Sequence, residues 1–199
     1  MLDNSQAGYS AIELDLDLLT TPFSVQTNWH VITGGPSCGK TTLITLLAAK
    51  GFQTAPEGAR LYLEREIARG RTVKEMRSNE AALQRGIKDM HLEVERGLQE
   101  NDLIFLDRGI PDCLAWHRVF GLDPNEFLRE CFHYQYASVF MLDRLSLQHD
   151  GLRYKDDSIL NFTEEWHIRD YQALGYDIVR VPVLPPEEQL AFILQVLSK

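Results

Sequence analysis

The sequence predicts an α/β fold with a mostly parallel sheet. Three observations carry that expectation. First, "LIFLD" at 103–107 and "ASVFMLD" at 137–143 are apolar runs without alternation, each ending in a carboxylate. Such runs fit strands buried on both faces of a parallel sheet. Second, strand-like and helix-like stretches alternate from residue 29 to residue 199, the pattern of helices crossing between parallel strands. Third, a glycine-rich segment, "GGPSCGKT" at 34–41, joins an apolar strand to an apolar helical pattern.

In order along the chain, residues 30–33 read as a short buried strand entering the glycine-rich loop. Residues 39–50 read as a helix with Leu43, Leu46 and Leu47 on one face and Gly51 at its C-terminal stop. "FQTAPE" is a second short strand ending at Pro56 and Glu57. Residues 59–99 are helical with a break near Gly70, and Thr72 with Glu75 three residues later is a capping-box signature for a new helix. After "LIFLD", Pro111 opens a helix. Asp123 as N-cap with Pro124 at the first helical position opens another over "DPNEFLRECF". After "ASVFMLD", residues 145–157 are polar and loop-like. Residues 158–174 form a helix stopped by Gly175, "YDIVRVPV" is a fifth strand, and 186–197 is a last helix. Residues 1–28 stand apart as an N-terminal arm or extra strand, because "AIELDLDLLTTPFSV" alternates apolar and acidic residues. The domain proper is 29–199.

Composition narrows the function. The chain has 199 residues, 44% hydrophobic and 25% charged, ordinary values for a globular domain. With 29 acidic and 20 basic side chains the net charge is −9. This repels nucleic acid and anionic membranes, and no Lys/Arg-dense run offsets it. Three cysteines without metal-type spacing and six scattered histidines point to a reducing compartment and to no metal cluster. Cys38 is expected to be buried and inert. There is no signal-peptide pattern and no apolar run near the roughly 20 residues a membrane span needs, so a cytoplasmic location without a membrane span is expected.

The segment 34–41 fits G-x-x-x-x-G-K-[ST], the P-loop pattern, in the strand-to-helix context it requires. Glycines let successive N–H groups curl around one anion, and the helix after the loop adds its positive end. Gly34, Gly35, Pro36, Ser37, Cys38, Gly39, Lys40, Thr41 and Thr42 are therefore the expected nucleotide-phosphate site. Lys40 reaches the β- and γ-phosphates and the Thr41 hydroxyl is a Mg²⁺ ligand. Asp107, ending an apolar strand, is the expected second Mg²⁺ ligand, and Arg108 beside it is a candidate for phosphate or substrate. Glu57 ends the second strand at the same expected crevice. It is a candidate proton acceptor or an outer-sphere Mg²⁺ partner; the alternative is a solvated loop carboxylate. Asp112 faces that crevice or serves its own helix start. Asp143 ends the fourth strand at the same edge. Arg144, Arg153 and Lys155 lie in the polar loop after it, where arginines fold over a triphosphate.

"VITGGPSCGKTTLITLLAAKGF", "PEGAR", "FLDRGIPDCLAW", "VFMLD", "DGLR" and "YQALGYDIVRVP", in this order, resemble the small P-loop proteins grouped with the ATPase/kinase domain of the NadR proteins. More distantly, "LDRG" is similar to the Asp-Arg-Ser/Tyr turn of deoxynucleoside and thymidylate kinases, with Gly109 in place of the Ser/Tyr. The resemblance implies a three-layer P-loop NTPase sandwich whose five-stranded sheet has the order 2-3-1-4-5. It implies Lys40 and Thr41 for phosphates and Mg²⁺, and Asp107 for the metal. It also implies Arg108 for substrate or phosphate, Glu57 as base, Arg153 as a lid arginine, and residues 182–186 near the adenine. The resulting expectation is an ATP- and Mg²⁺-dependent phosphotransferase or ATPase acting on a small-molecule acceptor. The alternatives are a nucleotide-dependent switch that binds a protein or lipid partner with little turnover, and a GTP-specific regulator. No N-K-x-D guanine-reading motif is present, which favours ATP over GTP.

Overall fold

The structure, a computed structural model, describes residues 9–144 and 157–198. Five parallel strands form the central sheet: β2 (Trp29–Thr33), β3 (Gln53–Ala55), β4 (Ile104–Asp107), β6 (Ser138–Leu142) and β7 (Ile178–Val181). Their spatial order is β3-β4-β2-β6-β7. Numbering these five along the chain gives 2-3-1-4-5, the expected order. All residues of β2 and β4 are buried, as strands covered on both faces require. Period-two alternation persists beneath that burial. Trp29, Val31, Ile104, Leu106 and Val139 point to one core, while Ile32, Phe105, Phe140, Leu142 and Val181 point to the other.

Helices close both faces. Leu43 and Leu47 of α1 (Lys40–Ala49) join Leu190 and Ile193 of α7 (Pro186–Leu197) in the second core. The first core takes Leu92 of α4 (Glu80–Arg96), Cys113 and Leu114 of α5 (Asp112–Val119), and Tyr171 of α6 (Asp157–Ala173). Before α4 run α2 (Gly58–Ala68) and α3 (Val73–Arg77), and the Thr72–Glu75 capping box is formed at the start of α3. The helical stretch contains a second break at Ser78 and Asn79. The Asn79 side chain accepts from the Ala82 amide at 3.0 Å, restarting the chain as α4.

One expectation needs correction. Over "DPNEFLRECF" Asp123 does cap, its carboxylate accepting from the Asn125 amide at 2.9 Å. It opens two 3-10 turns, Pro124–Glu126 and Leu128–Phe132, rather than an α-helix. Phe127 between them has φ −131°. That break lets Phe127 and Leu128 enter the core together, with the Phe127 ring 4.5 Å from His117. Within the described part of 1–28, expected as an arm or extra strand, the strand is short and comes late. Asp15 accepts from the Asp17 and Leu18 amides at 2.8 and 3.3 Å, and such local side-chain bonds compete with strand geometry. The result is a 3-10 turn, Leu18–Thr20, and then β1 (Val25–Gln26), which pairs in parallel with β5 (Tyr134–Gln135). Leu14 is buried, and Leu18, Leu19 and Phe23 pack against the first core. The Arg118 side chain donates to the Ile12 carbonyl at 2.7 Å, fastening the arm to α5.

Candidate functional site

Parallel pairing brings the strands' C-terminal ends to one edge. Ile32 is in register with Asp107, Ala55 with Leu106, and Thr33 with Met141. The loop after Thr33, the Asp107–Arg108 turn and Glu57 therefore meet at this edge, where ligands of open α/β sheets bind.

Three of the six residues of the loop 34–39 have positive φ. Gly34 has φ +135°, Ser37 +61° and Gly39 +97°. A Cβ on Gly34 would lie 2.8 Å from the Leu142 carbonyl oxygen, so both conformation and contact with β6 demand glycine. Gly39 caps α1, placing Thr41 and Thr42 exposed in its first turn. Lys40 folds back over the loop and donates to the Gly34 and Gly35 carbonyls at 3.1 and 2.7 Å. Burial, and after it the nearby Arg108, lower its pKa. Cys38 is buried, its sulfur 3.5 Å from the Lys40 ammonium.

At the end of β4, the Asp107 Oδ1 is buried and has no hydrogen-bond partner among the described residues. Burial raises its pKa, and the Glu57 carboxylate adds to the shift. An unpartnered buried carboxylate oxygen is costly and is the donor type that a hard cation takes. Arg108 has φ +72°, an outlier for a long side chain. Its guanidinium is bracketed: Nε donates to Glu57 Oε1 at 2.9 Å and Nη1 to Asp112 Oδ1 at 2.7 Å. Burial opposes its charge, but the two carboxylates outweigh burial and raise its pKa. Glu57 is 28% exposed, so it is the partner that opens to the crevice.

Asp112, expected at the crevice or at its own helix start, is 1% exposed. Besides Arg108, it accepts from Thr33 Oγ1 at 2.5 Å, Tyr171 Oη at 2.7 Å and the Gly109 amide at 3.2 Å. Burial opposes its ionisation, yet the surrounding positive charge and donors hold its carboxyl well below the usual range. Its oxygens serve the fold and the Arg108 side chain; a substrate role is not what this placement offers. Thr33 and Tyr171 were not legible as site residues. The only sequence signal is a polar residue closing an apolar strand and a tyrosine within an amphipathic helix.

Gly109 departs from the nucleoside-kinase turn for a steric reason. A Cβ there would lie 2.8 Å from the Tyr136 hydroxyl. That hydroxyl accepts from the Ile110 amide at 3.1 Å and donates to Glu95 Oε1 at 2.7 Å. Burial pushes Glu95 from 4.5 up to about 7, against the hydrogen bonds from Tyr136 and Ile110. A carboxyl raised in the fold contributes stability that is present below its unfolded pKa and lost as pH rises through the folded one. Native stability should therefore fall between pH 4.5 and about 7, by on the order of 3 kcal/mol from this group. Glu95→Gln keeps an acceptor for Tyr136 and cannot titrate. Urea melts across this range should show a flatter profile for the variant; parallel profiles would remove Glu95 as the cause.

Asp143 sits at the same edge but is engaged by Arg180, whose Nε donates to it at 2.7 Å. Arg144 lies over the loop, its Cγ 3.8 Å from where a Gly35 Cβ would be, with Nε held by Glu164 at 3.0 Å. Arg153 and Lys155 lie outside the described residues. Among the described residues, no group of three or more His, Cys, Asp or Glu is arranged to hold a metal ion, and no helix is long and apolar enough to cross a membrane.

A family model described as "AAA domain" matches residues 29–189. Among solved structures, the chain is similar to a thymidylate kinase from Candida albicans: TM-score 0.55 and 13% identity, over 88% of this chain and 93% of that one. It is also similar to a shikimate kinase from Aquifex aeolicus vf5: TM-score 0.53 and 15% identity, over 85% of this chain and 96% of that one. A NadR protein solved in complex with NR gives TM-score 0.52 and 20% identity, over 78% of this chain and 44% of that one. These likenesses are of fold: a P-loop, kinase-like α/β domain. No curated protein matches the chain.

Proposed function

Because the chain belongs to the AAA-domain family, whose model spans residues 29–189, we propose that it is a phosphotransferase using ATP and Mg²⁺ to phosphorylate a hydroxyl of a small acceptor. The observation that carries this reading is Asp107, a buried strand-end carboxylate with an unpartnered oxygen, on the same sheet edge as the Lys40-bearing loop. Asp107 and the Thr41 hydroxyl would hold Mg²⁺. With no three-ligand protein cluster among the described residues, water and phosphate oxygens would complete its coordination, as is usual for this ion. When bound, Mg²⁺ neutralises charge on the β- and γ-phosphates.

The chain's own groups supply the rest. The backbone N–H groups of the 34–41 loop, Pro36 having none, would face the phosphates. Lys40 exchanges its bonds to the Gly34 and Gly35 carbonyls for phosphate oxygens. Arg108, fixed by Glu57 and Asp112, presents its guanidinium to the phosphoryl group in transfer. Glu57, exposed to the crevice, accepts the proton of the acceptor hydroxyl. ATP rather than GTP is the donor.

The reading is tested by ATP consumption with Mg²⁺, measured alone and with a panel of nucleosides, ribosides and other small hydroxyl compounds. Acceptor-stimulated consumption with a phosphorylated product is expected. Tight ATP binding with no stimulation across the panel would favour a nucleotide-dependent switch instead.

A further inference from the structure

We propose that Asp112 and Tyr171 are positioning residues for Arg108, so that helix α6 sets where its guanidinium meets the phosphoryl group; the proposal rests on the phosphotransfer reading above. Two of the three guanidinium nitrogens of Arg108 are taken by carboxylates, Nε by Glu57 and Nη1 by Asp112. Among the described residues, Nη2 is the nitrogen left to face a phosphoryl oxygen. The direction it faces therefore depends on how Asp112 is held.

Asp112 is held from three parts of the fold. Thr33, the residue before the P-loop, bonds Oδ1 at 2.5 Å, the same oxygen that takes Arg108. Gly109 of the turn bonds Oδ2 at 3.2 Å. Tyr171 of α6 bonds Oδ2 at 2.7 Å and is fully buried. A carboxylate fixed on both oxygens by elements that cannot move independently fixes the guanidinium fork in turn. On α6, Glu164, His167 and Tyr171 share one face, at i, i+3 and i+7. Tyr171 and His167 meet Asp112, with His167 Nε2 3.7 Å away, beyond hydrogen-bond reach. Glu164 takes Arg144, the arginine lying over the P-loop. One helical face thus bears on arginines at both sides of the site.

The test is Tyr171→Phe in the full chain, which keeps the buried ring and deletes only the hydroxyl. Tyr176→Phe serves as the control. Its hydroxyl accepts from the Tyr136 amide at 3.2 Å, and it lies in the same aromatic cluster. The Arg108 Nε–H signal, assigned in ¹⁵N spectra by its loss in Arg108→Lys, should shift and exchange faster with solvent in Tyr171→Phe and stay put in Tyr176→Phe. Separately, wild type should bind Mg²⁺·ADP·aluminium fluoride, a mimic of the phosphoryl group in flight, more tightly than Mg²⁺·ADP. Tyr171→Phe should lose roughly tenfold or more of that preference, with ADP affinity kept. An Arg108 signal unmoved by Tyr171→Phe, or moved equally by Tyr176→Phe, overturns the positioning role. A signal that moves in Tyr171→Phe alone, while wild type shows no aluminium fluoride preference, upholds the positioning and counts against phosphotransfer.

Discussion

Glu57→Gln should lower acceptor-dependent ATP turnover by about 10²–10⁴-fold, the usual worth of general acid–base catalysis, while ATP binding is retained. The structure makes this substitution a clean one. Glu57 Oε1 accepts from Arg108 Nε at 2.9 Å, and a glutamine carbonyl oxygen can accept the same bond, so Arg108 keeps its place. What is lost is the charge and the capacity to take a proton. Asp107, the carboxylate that ends β4, is buried and better used for the cation; Asp107→Asn should weaken Mg²⁺ dependence and turnover together. If Glu57→Gln turns over ATP like wild type with an active acceptor, Glu57 is an ion-pair partner and nothing more.

Arg108→Ala should cost about 3–5 kcal/mol of unfolding free energy, the scale for removing one partner of a buried ion pair. The substitution strands Asp112, 1% exposed, with neutral donors alone. Relief of the left-handed backbone at Arg108 (φ +72°) does not offset this loss, because alanine at positive φ is still strained. The loss also has a pH dependence of definite sign. Without Arg108, the Asp112 carboxyl loses one of the causes that hold its pKa down in the fold, so the variant's deficit should shrink as pH falls through the carboxyl range. Urea denaturation at two pH values measures both effects. A loss below about 1 kcal/mol, as for an exposed ion pair, would mean that Asp112 is satisfied without Arg108.

The parts of the fold legible in the sequence are those whose signal is local. Gly34 to Thr41 announce themselves because Gly34 and Gly39 answer backbone requirements, both having positive φ. β4 and β6 are unbroken apolar runs since both faces are covered. The edge bearing Asp107 and Glu57 is implied once those strands are parallel. Alternation leaves 1–28 open between arm and extra strand because the Asp15 carboxylate bonds its neighbours' amides and turns the chain before β1. Residues 127–132 mislead because the core, and not helix propensity, sets the backbone at Phe127. The contacts of Asp112, as opposed to its place at the turn, are unreadable for a different reason. The residues that bury and satisfy it, Thr33 and Tyr171, lie 79 and 59 positions away in the chain, and no local pattern reports a hydrogen bond made across the core.

The claim on which all of this depends is that the 34–41 loop holds the phosphates of ATP, and calorimetric titration of Mg²⁺·ATP into wild type and Lys40→Ala tests it most directly. Lys40 is the cation within the loop, folded onto its Gly34 and Gly35 carbonyls. Its removal should weaken ATP binding by roughly 1.5–3 kcal/mol, the scale of a hydrogen bond to a charged group, or about 10- to 150-fold in affinity. Equal affinity in the two proteins would contradict the account and remove the loop from nucleotide binding.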